Sequence, residues 1–276
     1  RQFERPQARG PLGDAGVPIP ANWHACIAEW AACLRALELA GRPFTVVELG
    51  CGWGCWLNNM AVAARRAGVE SLLVGVEGDR DHREFARRTL RENGIPEAAI
   101  TLHAGIAAAE AGVALFPRQR VRGRSWGLRP VFGATAAQRA RARASGRYDE
   151  LPMVPVRDLV AGHDRVDLMH VDIQGGEADL VEGSLPVLAE KVAYLVVGTH
   201  GRGLERRIRA ALGGSGWVLE IERPAIFRMQ LTGPRLKIDG LQGWRNTRFA
   251  RTGSVPTSGP PDAVPQVTVP AASRSR

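Results

Sequence analysis

The sequence predicts an α/β fold, a mostly parallel sheet covered by helices on both faces. Three observations predict it. A short apolar run, Val46-Val47-Glu48-Leu49, ends in the alternating glycines of Gly50-Cys51-Gly52-Trp53-Gly54. A second apolar run closes on Val76-Glu77-Gly78-Asp79. Apolar runs of strand length then go on alternating with helical stretches as far as Ile221. A strand, a glycine turn, a helix and a later strand ending in an acid make a nucleotide-binding βαβ unit, and continued alternation covers the sheet on both sides.

Residues 1–21 hold Pro6, Pro11, Pro18 and Pro20 among several glycines and are expected to be disordered. Asn22 is a candidate cap for a helix in which Trp23, Ile27, Trp30, Leu34 and Leu37 recur at helical spacing, and Gly41 and Pro43 stop it. Its aromatics read as core. Phe44–Leu49 is then a strand, Trp56–Ala67 a helix stopped at Gly68, and Leu72–Glu77 a second strand. Asp79 caps a helix running through Arg91, which Asn93-Gly94 ends, and Ile100–His103 is a third strand. Residues 105–160 break the rhythm, with strand-like pieces at Val113–Phe116 and Met153–Val156. Rhythm returns with strand Val166–Val171, a helix from Glu177 to Lys191, strand Val192–Thr199 and helix Leu204–Leu212. Trp217–Ile221 and a stretch within 225–249 supply later strands, for a sheet of seven. One domain is expected over 22–250, with an arginine-rich insertion at 117–150 and a disordered Ser-, Pro- and Thr-rich tail at 251–276.

At 276 residues and 45% apolar content the chain can bury a full core. No apolar run approaches the roughly 20 residues of a membrane span. The chain opens on Arg1 without a charged-then-apolar leader, and the expected compartment is the cytoplasm. Cys26, Cys33, Cys51 and Cys55 have neither the density of a disulfide framework nor the paired spacing of a zinc site, and read as reduced packed side chains. The net charge of +9 is carried almost wholly by arginine, because Lys191 and Lys237 are the only lysines. From Ala111 to Tyr148 there is no acid, yet Arg118, Arg120, Arg122, Arg124, Arg129, Arg139, Arg141, Arg143 and Arg147 fall there. Such a stretch is either a solvated insertion or an anion-binding lid for a phosphorylated, lipid-linked or nucleic-acid substrate.

The spacing of the glycine turn selects a nucleotide. A dinucleotide fingerprint places a third glycine where Cys55 stands, whereas Glu48-x-Gly50-x-Gly52-x-Gly54 is the turn used for S-adenosylmethionine. In parallel sheets ligands sit outside the carboxyl ends of the strands, at the point where strand order reverses. That places the loop after the first strand beside the loop in Val166-Asp-Leu-Met-His-Val-Asp-Ile-Gln-Gly-Gly-Glu177. Here Asp172 ends a strand, Gly175 and Gly176 permit close backbone approach, and Glu177 opens a helix. Two carboxylates and an amide at such a point can bind the amino-acid end of a cofactor, activate a hydroxyl, or hold a divalent cation such as Mg²⁺. His200, at the end of the fifth strand in Gly198-Thr-His-Gly-Arg202, is a candidate general base, since imidazole titrates near neutrality. His170, inside its strand, reads as a packed residue.

Val-Glu-Leu-Gly-Cys-Gly-Trp-Gly, Gly-Val-Glu-Gly-Asp, Val-Asp-Ile-Gln-Gly-Gly-Glu and Gly-Thr-His-Gly-Arg together resemble the successive motifs of FkbM-type methyltransferases. Asp239-Gly-Leu-Gln-Gly-Trp-Arg-Asn246 resembles a recurring tail in one bacterial branch of them, so that the resemblance spans about residues 22–250. It implies a single Rossmann-like class I methyltransferase domain and S-adenosylmethionine-dependent O-methylation of a small molecule, sugar, glycolipid or polyketide. On this resemblance Glu48, Gly50, Cys51, Gly52, Trp53 and Gly54 would hold the methionine end of the cofactor. Glu77 with Gly78 would hold its ribose, and Asp172 would lie at the transfer site. The arginine-rich stretch departs from the family pattern.

The sulfonium is already a strong methyl donor, so the protein has to position the acceptor and take its proton. Asp172 and His200 are the candidate bases, and Asp172 with Glu177 the candidate Mg²⁺ site. Three rival readings remain. An RNA methyltransferase would use the basic stretch, but no Asn-Pro-Pro-Tyr-type loop follows the fourth strand, and nucleic acid is not the expected partner. An NAD-dependent dehydrogenase is disfavoured by Cys55. A non-catalytic binding module is opposed by the intact acids Glu77, Asp172 and Glu177.

Overall fold

A computed structural model describes residues 25–119, 121 and 127–249. The chain runs α1 (Ile27–Glu38), β1 (Phe44–Leu49), α2 (Cys55–Arg66), β2 (Ser71–Glu77), α3 (Arg80–Glu92) and β3 (Ile100–Ala104). There follow β4 (Ile106–Ala108), β5 (Gly112–Pro117), α4 (Ala136–Ser145), β6 (Tyr148–Pro155) and α5 (Val156–Val160). The last part is β7 (Leu168–Val171), α6 (Glu177–Lys191), β8 (Tyr194–Thr199), α7 (Arg202–Leu212), β9 (Trp217–Arg223), β10 (Ile226–Gln230), β11 (Gly233–Ile238) and β12 (Gly240–Asn246).

The main sheet has seven strands in the order β3-β2-β1-β7-β8-β12-β9. The first five pair in parallel, and β12 runs antiparallel between β8 and β9. Strand order reverses between β1 and β7, which brings the carboxyl ends of those two strands side by side. Both faces of the sheet are apolar because both are covered. Phe44, Val46, Leu168 and Val196 pack under α1 and α2, against Cys33, Leu57 and Met60. Val47, Leu49, Val171 and Val197 pack against Val181, Leu188 and Ile208 of α6 and α7 on the other side.

The helix expected from Asn22 begins at Ile27, where the Cys26 thiol accepts from Glu29 N at 3.4 Å; Asn22 and Trp23 lie outside the described residues. So do the expected N-terminal segment and C-terminal tail, and Arg120, Arg122, Arg124 and Trp126 of the insertion. All four cysteines are free.

The region where the rhythm breaks is more ordered than the sequence suggested. β4, β6 and β5 form a second, three-stranded sheet, and α4 opens on a capping box in which Thr135 and Gln138 exchange hydrogen bonds. Met153–Val156, read as a strand, ends at Pro155, and α5 starts at Val156. Between β9 and β12 the chain builds a separate β10–β11 ribbon before β12 enters the main sheet.

Asp167 anchors the entry to β1. Its carboxylate is 1% exposed and accepts from Gly41 N at 2.8 Å, Thr45 N at 2.9 Å and Arg165 Nε at 2.7 Å. Removing it orphans two amides and a guanidinium. Asp167→Ala is expected to lower unfolding stability by about 3 kcal/mol in a denaturant titration at pH 7. A loss under about 0.5 kcal/mol would show that water replaces the carboxylate there.

Candidate functional site

The site grows from the end of β1. Past Leu49 the backbone turns through Gly50, Gly52 and Gly54, with φ of 74°, 53° and 76°. These left-handed conformations cost glycine little and other residues more. Gly50 N and Cys51 N both donate to Val76 O, at 2.9 and 3.0 Å, tying the turn to β2. Asp172 N donates to Leu49 O at 3.1 Å, tying it to the end of β7. A Cβ on Gly50 would lie 2.3 Å from the carbonyl oxygen of Asp172, so only glycine admits this approach. The two loops expected to be neighbours are in backbone contact.

Glu48 is buried and directed into the protein. Its carboxylate accepts from Trp56 N at 3.1 Å and Leu57 N at 3.0 Å, fastening the start of α2 to β1. Burial pushes its pKa up to about 7, against the pull of His170 and the two amides. Cys51 is likewise buried and Trp53 half-buried. Gly54 is needed by packing as well as by its φ, since a Cβ there would meet Ala86 Cβ at 3.1 Å.

Glu77 closes β2 and aims at the turn. Its two oxygens accept from Gly52 N at 2.9 Å and Asp79 N at 2.7 Å, and burial holds its pKa above the usual carboxylate range. Each oxygen retains a lone pair for a further donor. Gly78, expected beside the cofactor, has a packing role: a Cβ would lie 2.8 Å from Ile106 and 3.2 Å from Phe116 in the small sheet. Asp79 caps α3 through His82 N at 2.9 Å and also accepts from Gln119 Nε2 at 3.0 Å, beyond β5.

At the ends of β7 and β8 the three predicted side chains converge. His200 Nδ1 lies 2.9 Å from Glu177 Oε1, and its Nε2 lies 3.5 Å from Asp172 Oδ1. Gly175 N donates to the same Glu177 oxygen at 2.8 Å, and Gln174 Nε2 donates to Asp172 Oδ1 at 3.2 Å. Gln174 has φ of 62°, the one positive value at a non-glycine among the described residues. The Glu177 side chain is fully buried, whereas that of Asp172 keeps 42% exposure and opens the group to solvent. Burial opposes charge on His200, but the hydrogen bond to Glu177 and the two carboxylates outweigh it and raise its pKa. Burial would raise Glu177, yet His200 and the Gly175 amide hold it below the usual carboxylate range. Asp172 is raised, because the packing around it outweighs the attraction of His200 and His170. The three groups each offer a ligand atom within 4.8 Å of the others, a donor set also able to hold a cation.

His170 is buried at 3% exposure, with Nε2 2.9 Å from Glu29 Oε1. Glu29 also accepts from Trp56 Nε1 at 3.0 Å, and Trp56 meets Trp30 edge-on at 5.0 Å, so the aromatics near α1 pack in the core. Sequence reasoning missed Glu29, and it named Arg129 without placing it beside the Asp172 loop. Glu29 and His170 are 141 positions apart and no local pattern links them. The guanidinium of Arg129 lies over Gly175, 3.7 Å from where a Cβ would stand.

The sheet order and the glycine turn define a Rossmann-like fold of the class I methyltransferase kind. No family model matches the chain. It is 44% identical over 231 residues to a protein of Jannaschia sp. (strain CCS1) named "Putative methyltransferase", covering 84% of this chain and 82% of that one. The chain belongs to the methyltransferase family of that protein. Among solved structures it aligns with the methyltransferase FkbM from Methylobacillus flagellatus KT at 14% identity and a TM-score of 0.44, over 72% of this chain and 43% of that one. It also aligns with an rRNA methylase from Streptococcus thermophilus at 8% identity and a TM-score of 0.45, over 84% and 99%.

Gly50→Ala tests the contact that joins the two loops. A left-handed alanine whose Cβ presses on a carbonyl oxygen is expected to cost about 2–4 kcal/mol, read as a lower denaturant midpoint. Gly68→Ala is the control, also at positive φ but with nothing within 4 Å of its Cβ, and is expected to cost only about 1–2 kcal/mol. Equal losses would show that the Asp172 carbonyl yields freely.

Proposed function

We infer that the protein is an S-adenosylmethionine-dependent O-methyltransferase of the FkbM type, acting on a hydroxyl of a small molecule, sugar, glycolipid or polyketide. The observation that carries this reading is the Asp172–His200–Glu177 relay, set at the strand ends next to the Gly50 turn. The fit to the cofactor rests on two features. Three left-handed glycines leave the turn bare of side chains at alternate positions, and Glu77 presents spare lone pairs beside Gly52. When bound, the cofactor supplies an electrophilic methyl group on a sulfonium.

The chain's own residues then have one task, to hold the acceptor hydroxyl and remove its proton. Glu177 orients His200 by accepting from Nδ1, which leaves Nε2 facing Asp172 and the open side of the site. In its neutral form Nε2 would take the proton of the acceptor hydroxyl, leaving the oxygen free to accept the methyl group that the cofactor would supply. Glu177 and Asp172 stabilise the imidazolium that results. A Mg²⁺ ion on Asp172, Glu177 and His200 would instead polarise the hydroxyl, but would first have to displace the hydrogen bond between His200 and Glu177. That bond favours the proton relay. The expectation against a nucleic-acid acceptor has no support in the structure, because α4 carries exposed arginines at 141 and 143.

Two measurements follow. S-adenosylhomocysteine titrated calorimetrically is expected to bind wild type saturably and Glu77→Gln about tenfold or more weakly. Equal affinities would remove Glu77 from the cofactor site, and no binding by folded wild type would remove the whole reading.

For the relay, the His200 ring protons followed by NMR are expected to titrate above 6.5 in wild type and at lower pH in Glu177→Gln, since the raising charge is gone. The sign for stability follows. The raised His200 contributes fully below its ordinary pKa of about 6.5 and loses the contribution as pH rises through its folded pKa. Glu177, depressed, contributes above about 4.3 and loses it as pH falls through its folded pKa. The excess stability of wild type over His200→Ala is therefore largest near pH 5–6 and shrinks toward pH 9. His200→Ala is expected to slow methyl transfer by about 10²–10⁴-fold, with chelator leaving the wild-type rate unchanged. A chelator-sensitive rate would favour the cation instead.

A further inference from the structure

Arg129 is set apart from the other described arginines of its stretch by its place over Gly175, in the loop between Asp172 and Glu177. Arg118 pairs with Asp149 at 2.6 Å, and Arg143 pairs with Glu150, the two acids that follow the acid-free run. Arg129 is exposed and makes no hydrogen bond or ion pair with any acid among the described residues. Its guanidinium lies over Gly175, with Nη1 and Nη2 each 3.9 Å from where a Cβ would stand. Gly175 belongs to the loop that ends in Asp172 on one side and Glu177 on the other, and its amide holds the Glu177 oxygen that orients His200.

The backbone that carries Arg129 is held on both sides. Leu128 packs on Ile106, Ala114 and Phe116. Val131 exchanges two hydrogen bonds with Leu115 of β5, at 3.0 and 2.8 Å. Gly127 sits so close to Gln174 that a Cβ would lie 2.7 Å from its Oε1, and Gln174 in turn donates to Asp172. The small sheet therefore holds the backbone from which the guanidinium reaches the loop between Asp172 and Glu177. Neutralising Asp172 or Glu177 is not its task, since those carboxylates are engaged by Gln174, His200 and Gly175.

We propose that Arg129 is the binding residue of an oxyanion subsite, and that the acceptor carries a phosphate or similar anionic group beside the hydroxyl that is methylated. The proposal rests on the methyltransferase reading of the Asp172–His200 site. A planar guanidinium with its donors unspent matches a phosphate or carboxylate edge in bidentate fashion. Because its backbone is already ordered, docking an anion costs the freedom of the side chain alone.

The test follows the Arg Nε–Hε signals of ¹⁵N-labelled full-length protein by NMR, with the Arg129 signal assigned by its loss in Arg129→Lys. Inorganic phosphate, glucose 1-phosphate, glucose, phosphatidylglycerol vesicles, phosphatidylcholine vesicles and single-stranded RNA are added in separate titrations. A saturating shift of Arg129 with phosphate and glucose 1-phosphate, absent with glucose, supports the subsite with a soluble phosphorylated acceptor. A shift confined to phosphatidylglycerol, absent with phosphatidylcholine, supports it with a lipid headgroup as the source. In either case Arg129→Ala weakens the responding ligand about tenfold or more while Arg141→Ala does not, as expected for one charged hydrogen-bonded pair. The proposal is overturned if Arg129 shifts with none of these, if it moves only in step with Arg141, or if RNA shifts Arg141 and leaves Arg129 still. Titrating S-adenosylhomocysteine into wild type separates the two failures. Absence of that binding retires the methyltransferase reading whatever Arg129 does, and binding that Arg129→Ala leaves unchanged locates a negative phosphate result in the subsite alone.

Discussion

The site depends on one backbone contact. Gly50, the first residue past β1, comes so close to the carbonyl of Asp172 that no side chain fits between them. That approach carries two consequences. It brings the glycine turn of one βα unit against the Asp172 loop of another, at one edge of the sheet. It also makes the two loops mechanically one, since Leu49 O accepts from Asp172 N and Val76 O accepts from Gly50 N and Cys51 N. The ends of β1, β2 and β7 are thereby tied together, and relative placement of the reacting groups is a property of the backbone rather than of side-chain rotamers.

Buried charge at this edge is tolerated on terms that differ from group to group. Glu77 and Glu177 both accept backbone amides, yet the first is pushed above the ordinary carboxylate range and the second is held below it. The difference is the imidazole of His200, a cationic partner in direct contact with Glu177. Two amides and the charge of a nearby histidine leave both Glu48 and Glu77 raised, and it is the direct hydrogen bond with His200 that brings Glu177 down. Glu29 and His170 form a similar pair, and burial of His170 is likewise outweighed by its glutamate. That pair is sealed between α1, α2 and the sheet, whereas the second nitrogen of His200 faces a carboxylate that remains 42% exposed. Access to solvent separates the two histidines.

Much of this was legible in the sequence because it is written in short-range patterns. The glycine spacing of Gly50, Gly52 and Gly54 reports positive φ, the apolar runs report strands buried on both faces, and Asp79 before Arg80–Glu92 reports a cap. The rule that ligands gather where strand order reverses then placed Asp172 beside Gly50 without any contact being visible in the sequence. What failed to show was of two kinds. Long-range pairs such as Glu29 with His170 join residues that no periodicity connects. Structural duties of single residues were the other kind: Glu48 also fastens α2 through both oxygens, and Gly78 also makes room for Ile106 and Phe116. The capping box at Thr135 and Gln138 was a readable sign of α4 that the surrounding arginines obscured.

The arginines themselves gain meaning from where acids are available. Elsewhere on the surface cations sit next to carboxylates: Arg35 and Arg245 share Glu220, Arg157 meets Glu110, and Arg207 bridges Asp179 and Glu182. Such exposed pairs add little stability singly, but they cancel charge locally. Between Ala111 and Tyr148 there is no acid to do so, and the net charge of +9 is therefore weighted toward one segment rather than spread over the molecule. That segment builds β5 of the small sheet and α4, and the small sheet leans on the end of β2 through Gly78 while Gly127 approaches Gln174 of the Asp172 loop. A positive field placed there acts over about 8–10 Å in physiological salt, a range that takes in the mouth of the site. The arginines of α4 project on the outer side of the insertion, while Arg129, held by Leu128 and Val131, lies where incoming negative charge would first meet the loop that holds Asp172.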